Sequence, residues 1–313
     1  MDKHLSYVKN KLRLLLFFLN LKKFPGLVRI YGYYPNLKYI SEYNIQAFES
    51  RNLATIRMLK KMFERYKKDI KNGEYFNIYI YTGDRADEAE LFRKKLNLKK
   101  IYAYSTMKKY YNKVIPIPDY MFDSWKESGM GSYKGLIKEC QLEGDKNYID
   151  ERCFWIGSVK THYTRNILIK LSEKYSNIIL AIGMHWLSNE TGKKQKTDKF
   201  VSLPEHAKYK YLIDIQGYGW SGRLKVLFWL KRPVFIVNRV HEEFYFKYLI
   251  DYKNCIFVKE DLSDLIDKIR TIEKDKDLYN NLSLEAQLFA KKYLNENAVI
   301  KYLYEIIKEN EHV

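Results

Sequence analysis

Two periods of hydrophobic and polar positions alternate along the chain. Ile45, Phe48, Leu53, Ile56, Leu59 and Phe63 recur at helical spacing with charges between them, which predicts one long helix within residues 41–72. Phe76 to Tyr81 alternates with period two, is rich in strand formers and leaves into Thr82-Gly83-Asp84, a strand-to-loop exit. Residues 85–98 return to helical spacing, and Ile101 to Ser105 reads as a second short strand. Strand, helix, strand is the unit of a parallel sheet.

Residues 110–135 carry Pro116, Pro118, Gly129 and Gly131 and read as loop, and the charge-rich stretch Leu142 to Arg152 separates them from a second alternation. That alternation begins with a strand at Phe154–Ser158, a helix at Arg165–Tyr175 and a strand at Asn177–Ile182. It continues with a strand at Tyr209–Ile215, a Gly-rich turn at Gly217–Gly222 and a helix at Arg223–Trp229. Strands at Pro233–Val237 and Cys255–Val258 follow, and residues 261–313 are helical in pattern. The expected fold class is therefore α/β, with two Rossmann-like domains facing a cleft and a boundary near residue 148. Ligands of such sheets bind outside the carboxyl ends of the strands.

Composition narrows the class. With 313 residues, 46% of them hydrophobic and 30% charged, the chain is long enough for two globular domains and is not disordered. A formal net charge of +18 attracts anions, whether nucleic acid, anionic membrane or phosphorylated substrate. The three cysteines, Cys140, Cys153 and Cys255, form no CxxC pair and imply neither a zinc site nor a disulfide framework, which fits a reducing compartment. Leu14 to Leu19 is apolar but closed by Arg13 and Lys22-Lys23. It is too short to span a bilayer, lacks a cleavage site, and suits either a membrane-surface segment or an ordinary packed helix.

The strongest local chemistry lies in Tyr211 to Arg223. There a strand leads into glycines, then Ser221 and Arg223, then a helix, a pattern that suits a diphosphate cradle and equally a plain turn. Gly157 to Arg165, with Ser158, Lys160 and Thr161, is a second cation-bearing strand-to-helix loop in the same half. His206 to Tyr211 interleaves basic and aromatic residues, as a nucleic-acid patch or a solvated strand edge would. Asp84 at its strand end is placed either to cap a helix or to take a proton from a hydroxyl. No Asp-x-Asp pair in a strand-end loop, Ser-His-Asp set or Cys-His set stands out, so a metal is not expected.

Four blocks in this order resemble the family 90 glycosyltransferases, which include capsule-associated proteins and the Rumi-type protein O-glucosyltransferases. They are Ile78 to Asp84, followed by Ile115 to Tyr120 with Trp125; Phe154 to Ser158 with Thr161 and Arg165; Glu205 to Leu212 with Gly217, Ser221 and Arg223; and Glu243 to Tyr245 with Ile256 to Val258 and Asp261 to Leu265. The pattern departs from the family at Gly83, where an Arg often precedes the Asp, and at Ile156, where an Arg often precedes the Gly.

The resemblance implies a GT-B-like fold, a UDP-sugar donor with glucose or xylose foremost, inversion at the anomeric carbon and no metal. It divides the chain into an acceptor-side domain at 1–147, a donor-binding domain at 148–295, and a C-terminal helix at 296–313 expected to return to the first domain. By position, Asp84 would be the base, with Asp87, Asp119 and Asp123 as alternative carboxylates. Arg165, Ser221 and Arg223 would hold the diphosphate, Glu243 and Phe244 would line the nucleotide end, and Gly157, Ser158, Thr161, Lys208 and Gly217 would complete the donor site. Trp125 and Asp119 would face the acceptor. The implied partner is a glycan or lipid-linked glycan of lipopolysaccharide or capsule, reached from the cytoplasm at the inner membrane face, and no nucleic acid is expected. The rival readings are a basic nucleic-acid-binding protein and a catalytically inactive sugar-nucleotide-binding relative.

Overall fold

The computed structural model describes residues 26–42, 46–125, 130–187 and 196–311. The apolar Leu14–Leu19 segment lies outside them. The first half is a five-stranded sheet in the order β2-β1-β3-β4-β5. Its strands are β1 (Leu27–Tyr33), β2 (Lys38–Glu42), β3 (Tyr75–Tyr81), β4 (Ile101–Ala103) and β5 (Val114–Pro116). The strands β3, β4 and β5 are parallel, whereas β1 runs antiparallel to both β2 and β3. The antiparallel β1–β2 pair has no counterpart in the sequence expectation. Residues 41–72 are not one helix either: β2 ends at Glu42, and helix α1 spans Gln46–Arg65.

Alternation along the strands explains the layers. Val28, Ile30, Ile78 and Ile80 point to the face covered by α1, and their neighbours Leu27 and Tyr81 point to the other face. That other face is covered by helix α2 (Ala86–Lys95) through Ala86, Ala89 and Phe92.

The second half is an all-parallel sheet in the order β12-β11-β10-β6-β7. Its strands are β6 (Asp150–Ser158), β7 (Ile179–Met184), β10 (Tyr209–Asp214), β11 (Val234–Val237) and β12 (Ile256–Val258), with a small β8–β9 ribbon (Trp186–Leu187, Lys196–Thr197) at the side. Helix α3 (Tyr133–Gly144), capped by Ser132, takes in the end of the expected loop at 110–135 and the start of the expected separator at Leu142–Arg152. Helices α4 (Tyr163–Lys174) and α6 (Leu265–Glu273) cover the outer face, where Trp155, Leu168, Ile213, Phe235 and Ile269 are packed. The inner face, with Phe154, Leu212, Val234 and Ile236, joins the same apolar cluster as the first half.

Helix α5 (Leu224–Leu227) is only one turn long and runs into a 3₁₀ turn at Phe228–Leu230. Helices α7 (Lys276–Phe289) and α8 (Glu296–Glu311) close the fold. Helix α8 lies on α1, with Tyr66 stacked on Tyr304 at 4.0 Å and Arg65 donating to Asn297 at 2.9 Å. The sequence division at 147/148 leaves α3 with the first half, but by packing α3 sides with the second. Trp229 Nε1 donates to Tyr133 at 2.9 Å, and the buried Arg232 donates to the carbonyls of Gly144 and Lys146.

Candidate functional site

The glycine-rich turn after β10 is where the two halves meet. A Cβ on Gly219 would overlap the carbonyl oxygen of Asp84, and one on Gly222 would overlap the sulfur of Met121. These two glycines are therefore explained by close approach of the halves rather than of a ligand. Trp220 packs edge-on against Tyr104 (5.6 Å) and Tyr120 (6.0 Å) of the first half. Asp84, at the carboxyl end of β3, is thereby held beside the turn that carries Ser221 and Arg223.

On the second-half side a dry charge cluster forms around Asp214, the last residue of β10. Its carboxylate is fully buried and accepts from Ser221 Oγ (2.7 Å), Arg223 Nε (3.3 Å) and Arg239 Nη2. Burial opposes its charge, but Arg239 and Arg223 outweigh it and hold the group below the usual carboxylate range. Arg165 and Arg223 lie 5.4 and 5.3 Å from the ring of Trp155. Arg165 donates to the carbonyls of Ser158 (2.8 Å), Ile215 (2.9 Å) and Gln216 (3.0 Å), so it ties the β6 loop to the β10 loop. Burial and then Arg223 push Arg165 down to about 9, which leaves it charged at neutral pH.

Arg223 also donates through Nη1 to the carbonyl of Ile156. A guanidinium has five N–H donors, so Arg165 and Arg223 keep capacity beyond these bonds. Glu243 accepts from the Ser221 amide at 3.1 Å through Oε1, while its buried Oε2 has no hydrogen-bond partner among the described residues; burial raises it to about 7 despite Arg239. Buried polar atoms with no hydrogen-bond partner among the described residues recur here: Gln216 Oε1, Trp220 Nε1, Trp155 Nε1 and Arg239 Nη1, the last 3.9 Å from Glu243 Oε1, join Glu243 Oε2.

Two other features shape this side. His162 caps α4 by accepting from the Thr164 amide at 3.4 Å, and burial lowers it to about 4. The helix after Arg223 is only four residues long and is too short to supply a helix-terminus field at that turn.

The remaining expected donor residues fall unevenly. Gly157 and Ser158 end β6, with Gly157 opposite Gly183, and Thr161 donates to the Ser158 carbonyl at 3.3 Å. Gly217 sits with Arg165 Nη2 at 3.9 Å from where its Cβ would be. Phe244 is a core residue, packed on Phe122 at 5.7 Å and Tyr302 at 4.7 Å. Lys208 lies elsewhere: it precedes β10, at the opposite end of that strand from Asp214, and pairs with Glu205 at 2.9 Å on the surface. The basic-aromatic run around it is divided the same way. His206 and Tyr211 are buried, Tyr209 stacks on Phe154 at 3.9 Å, and Lys210 pairs with Glu273 at 3.0 Å.

On the first-half side, Asp84 pairs with Arg51 of α1 at 2.8 Å. Asp87 is held by Arg85 (3.0 Å to Nε), and Asp123 by Arg57 (2.9 Å to Nε). Asp119, expected to face the acceptor, is instead buried. One oxygen caps the turn at Met121 (2.9 Å), and the other pairs at 2.8 Å with Lys225, a fully buried lysine of the second half. Burial raises Asp119 even against that cation. Trp125 is half-buried and packs edge-on against Tyr120 at 5.7 Å.

Sequence reasoning missed Asp214, Arg239, Lys225 and Arg51. Asp214 alone carried a signal, as a carboxylate ending an apolar strand before the glycine turn. Among the described residues, no three of His, Cys, Asp or Glu come together as a metal would require.

The profile of Glycosyl transferase family 90 matches residues 34–312. Rat protein O-glucosyltransferase 1 is 29% identical over 156 residues, 48% of this chain and 39% of its own length. Human protein O-glucosyltransferase 3 is 23% identical over 160 residues, 51% of this chain and 31% of its own. The chain thus spans well under half the length of these curated relatives. Among solved structures, a glycosyltransferase from Rickettsia africae is similar over 86% of this chain and 84% of its own, with 14% identity and a TM-score of 0.41.

Proposed function

Because the chain belongs to Glycosyl transferase family 90, we propose that it transfers a sugar from a UDP-sugar to a glycan hydroxyl in a single inverting displacement. Asp84 takes the proton of the acceptor hydroxyl as that oxygen attacks the anomeric carbon, and the bond to the diphosphate breaks on the opposite face. Arg223 and Arg165 meet the charge that builds on the leaving diphosphate, in the role a metal ion holds in other enzymes. Ser221 and Glu243 stand at the same end, where donor hydroxyls would satisfy Glu243 Oε2, which has no hydrogen-bond partner among the described residues.

The observation that carries this reading is the buried arginine cluster around Asp214, on the turn that touches Asp84. Glucose or xylose as the sugar, and a lipopolysaccharide or capsular glycan as acceptor, follow from the family resemblance. A cytoplasmic place at the inner membrane face is supported by the net charge of +18. No described helix is long and apolar enough to cross a membrane.

A thermal-shift screen against UDP, UDP-sugars and an oligonucleotide, with and without EDTA, tests it. A ligand bound only by the folded state raises Tm. UDP should stabilise the protein in EDTA, and the product should carry the inverted anomer. Stabilisation by the oligonucleotide alone would overturn the reading.

A further inference from the structure

Arg51, the residue paired with Asp84, lies outside every block that resembles the family. We propose that Arg51 is a positioning residue for the Asp84 carboxylate, an inference that rests on Asp84 being the base. Arg51 Nη1 donates to Asp84 Oδ1 at 2.8 Å, and Asp84 Oδ2 has no hydrogen-bond partner among the described residues. One oxygen is held and the other is left to an acceptor hydroxyl. A carboxylate otherwise turns easily about its last torsion, whose wells are broad and two-fold.

Arg51 is itself fixed from two sides. Its guanidinium lies 5.1 Å from the ring of Tyr120, which packs against Tyr104 (5.6 Å), Trp125 (5.7 Å) and, across the halves, Trp220 (6.0 Å). The next residue, Asn52, is fully buried; it donates to Ser41 Oγ (2.9 Å) and the Glu42 carbonyl (3.1 Å) and accepts from Thr82 Oγ1. Adjacent residues of α1 therefore hold Thr82 and Asp84, two positions apart on the β3 exit. The clamp fixes the backbone through Asn52 and the carboxylate through Arg51. The Arg51 side chain is 17% exposed and that of Asp84 is 38% exposed, so the pair sits at the rim of the interface, where an acceptor could reach it.

The test compares Arg51→Gln, Arg51→Lys and Asp84→Asn by UDP release from UDP-glucose with a cell-envelope glycan extract as acceptor, alongside UDP affinity and Tm. Loss of aim should lower kcat of Arg51→Gln about 10- to 100-fold, the scale of a small misplacement of a reacting group. UDP affinity should stay within about twofold, because the donor arginines are untouched. Arg51→Lys should recover part of kcat, since it keeps a cation but not the fork.

If Asp84→Asn loses turnover while Arg51→Gln keeps wild-type kcat, the positioning role is overturned and the base assignment stands. The role also fails if Arg51→Gln loses UDP affinity as much as kcat, because that marks a general structural defect. If Asp84→Asn keeps wild-type turnover, the base assignment falls and the inference falls with it.

Discussion

Two arginine–aspartate pairs flank the meeting line of the halves, and they differ in water rather than in chemistry. Asp214 and Arg239 are 0% and 1% exposed, and Ser221 and Arg223 complete their hydrogen bonds. Asp84 and Arg51 are 38% and 17% exposed, and one carboxylate oxygen has no hydrogen-bond partner among the described residues. A charge pair in a dry interior interacts far more strongly than one near solvent, but it must first be stripped of water. Such a cost suits groups that hold a fixed field for a leaving diphosphate and need no rearrangement when the bond breaks. On the proposed mechanism, a base that has to receive a succession of acceptor hydroxyls cannot be sealed in the same way, so preorganisation would fall to the second half and access to the first.

The comparison can be broken most severely on the open side. Asp84→Asn should lower turnover about 10²- to 10⁴-fold, the usual worth of a general base, while UDP still raises Tm. On the dry side, Arg223→Ala should cost about 10²- to 10³-fold in kcat and should also abolish the UDP-induced Tm shift, which separates field from proton transfer. Lys225→Met strands Asp119 in the buried ion pair that joins the halves, and urea denaturation should show a loss of about 3–5 kcal/mol.

Glu243→Gln sharpens the comparison through pH. Glu243 is raised by burial from 4.5 to about 7. The folded protein therefore favours its protonated form, and the associated stability is complete below about pH 4.5 and lost as pH rises through about 7. Tm of the Gln variant relative to wild type should increase between pH 5 and pH 8; a constant difference would deny the shift. Lys208→Ala, on the far end of β10, should change stability by less than about 0.5 kcal/mol and leave UDP affinity alone.

The parts of the molecule legible in the sequence are those whose pattern is local. The alternation of Phe76 to Tyr81 and the apolar runs at Phe154–Ser158 and Tyr209–Ile215 mark strands that the structure contains, because each buries side chains of its own. The β1–β2 pair went unread. Its outer positions Arg29, Tyr31 and Tyr33 are polar or aromatic and partly open to water, and its pairing with β3 reaches across more than 40 residues. Helix α3 was hidden by the charges on its exposed face.

At the site, Ser221, Arg223 and Arg165 are marked by their strand-to-helix loops and Glu243 by the family pattern, and the fold brings them together. Arg239, Lys225 and Arg51 gave no such signal, since what distinguishes each is a partner 25, 106 or 33 positions away. Lys208 failed for the opposite reason. It stands near the glycine turn in sequence, but a six-residue strand carries it about 20 Å away.

The apolar cluster that runs from Val28 through Tyr104 and Phe122 to Phe244, Leu212 and Ile307 does not stop at the line between the halves. Neither half could melt alone without exposing the inner surface of the other, so the free energies of the two are not separable quantities. Calorimetry should record one endotherm whose van't Hoff and calorimetric enthalpies agree, where independently folding domains would give two.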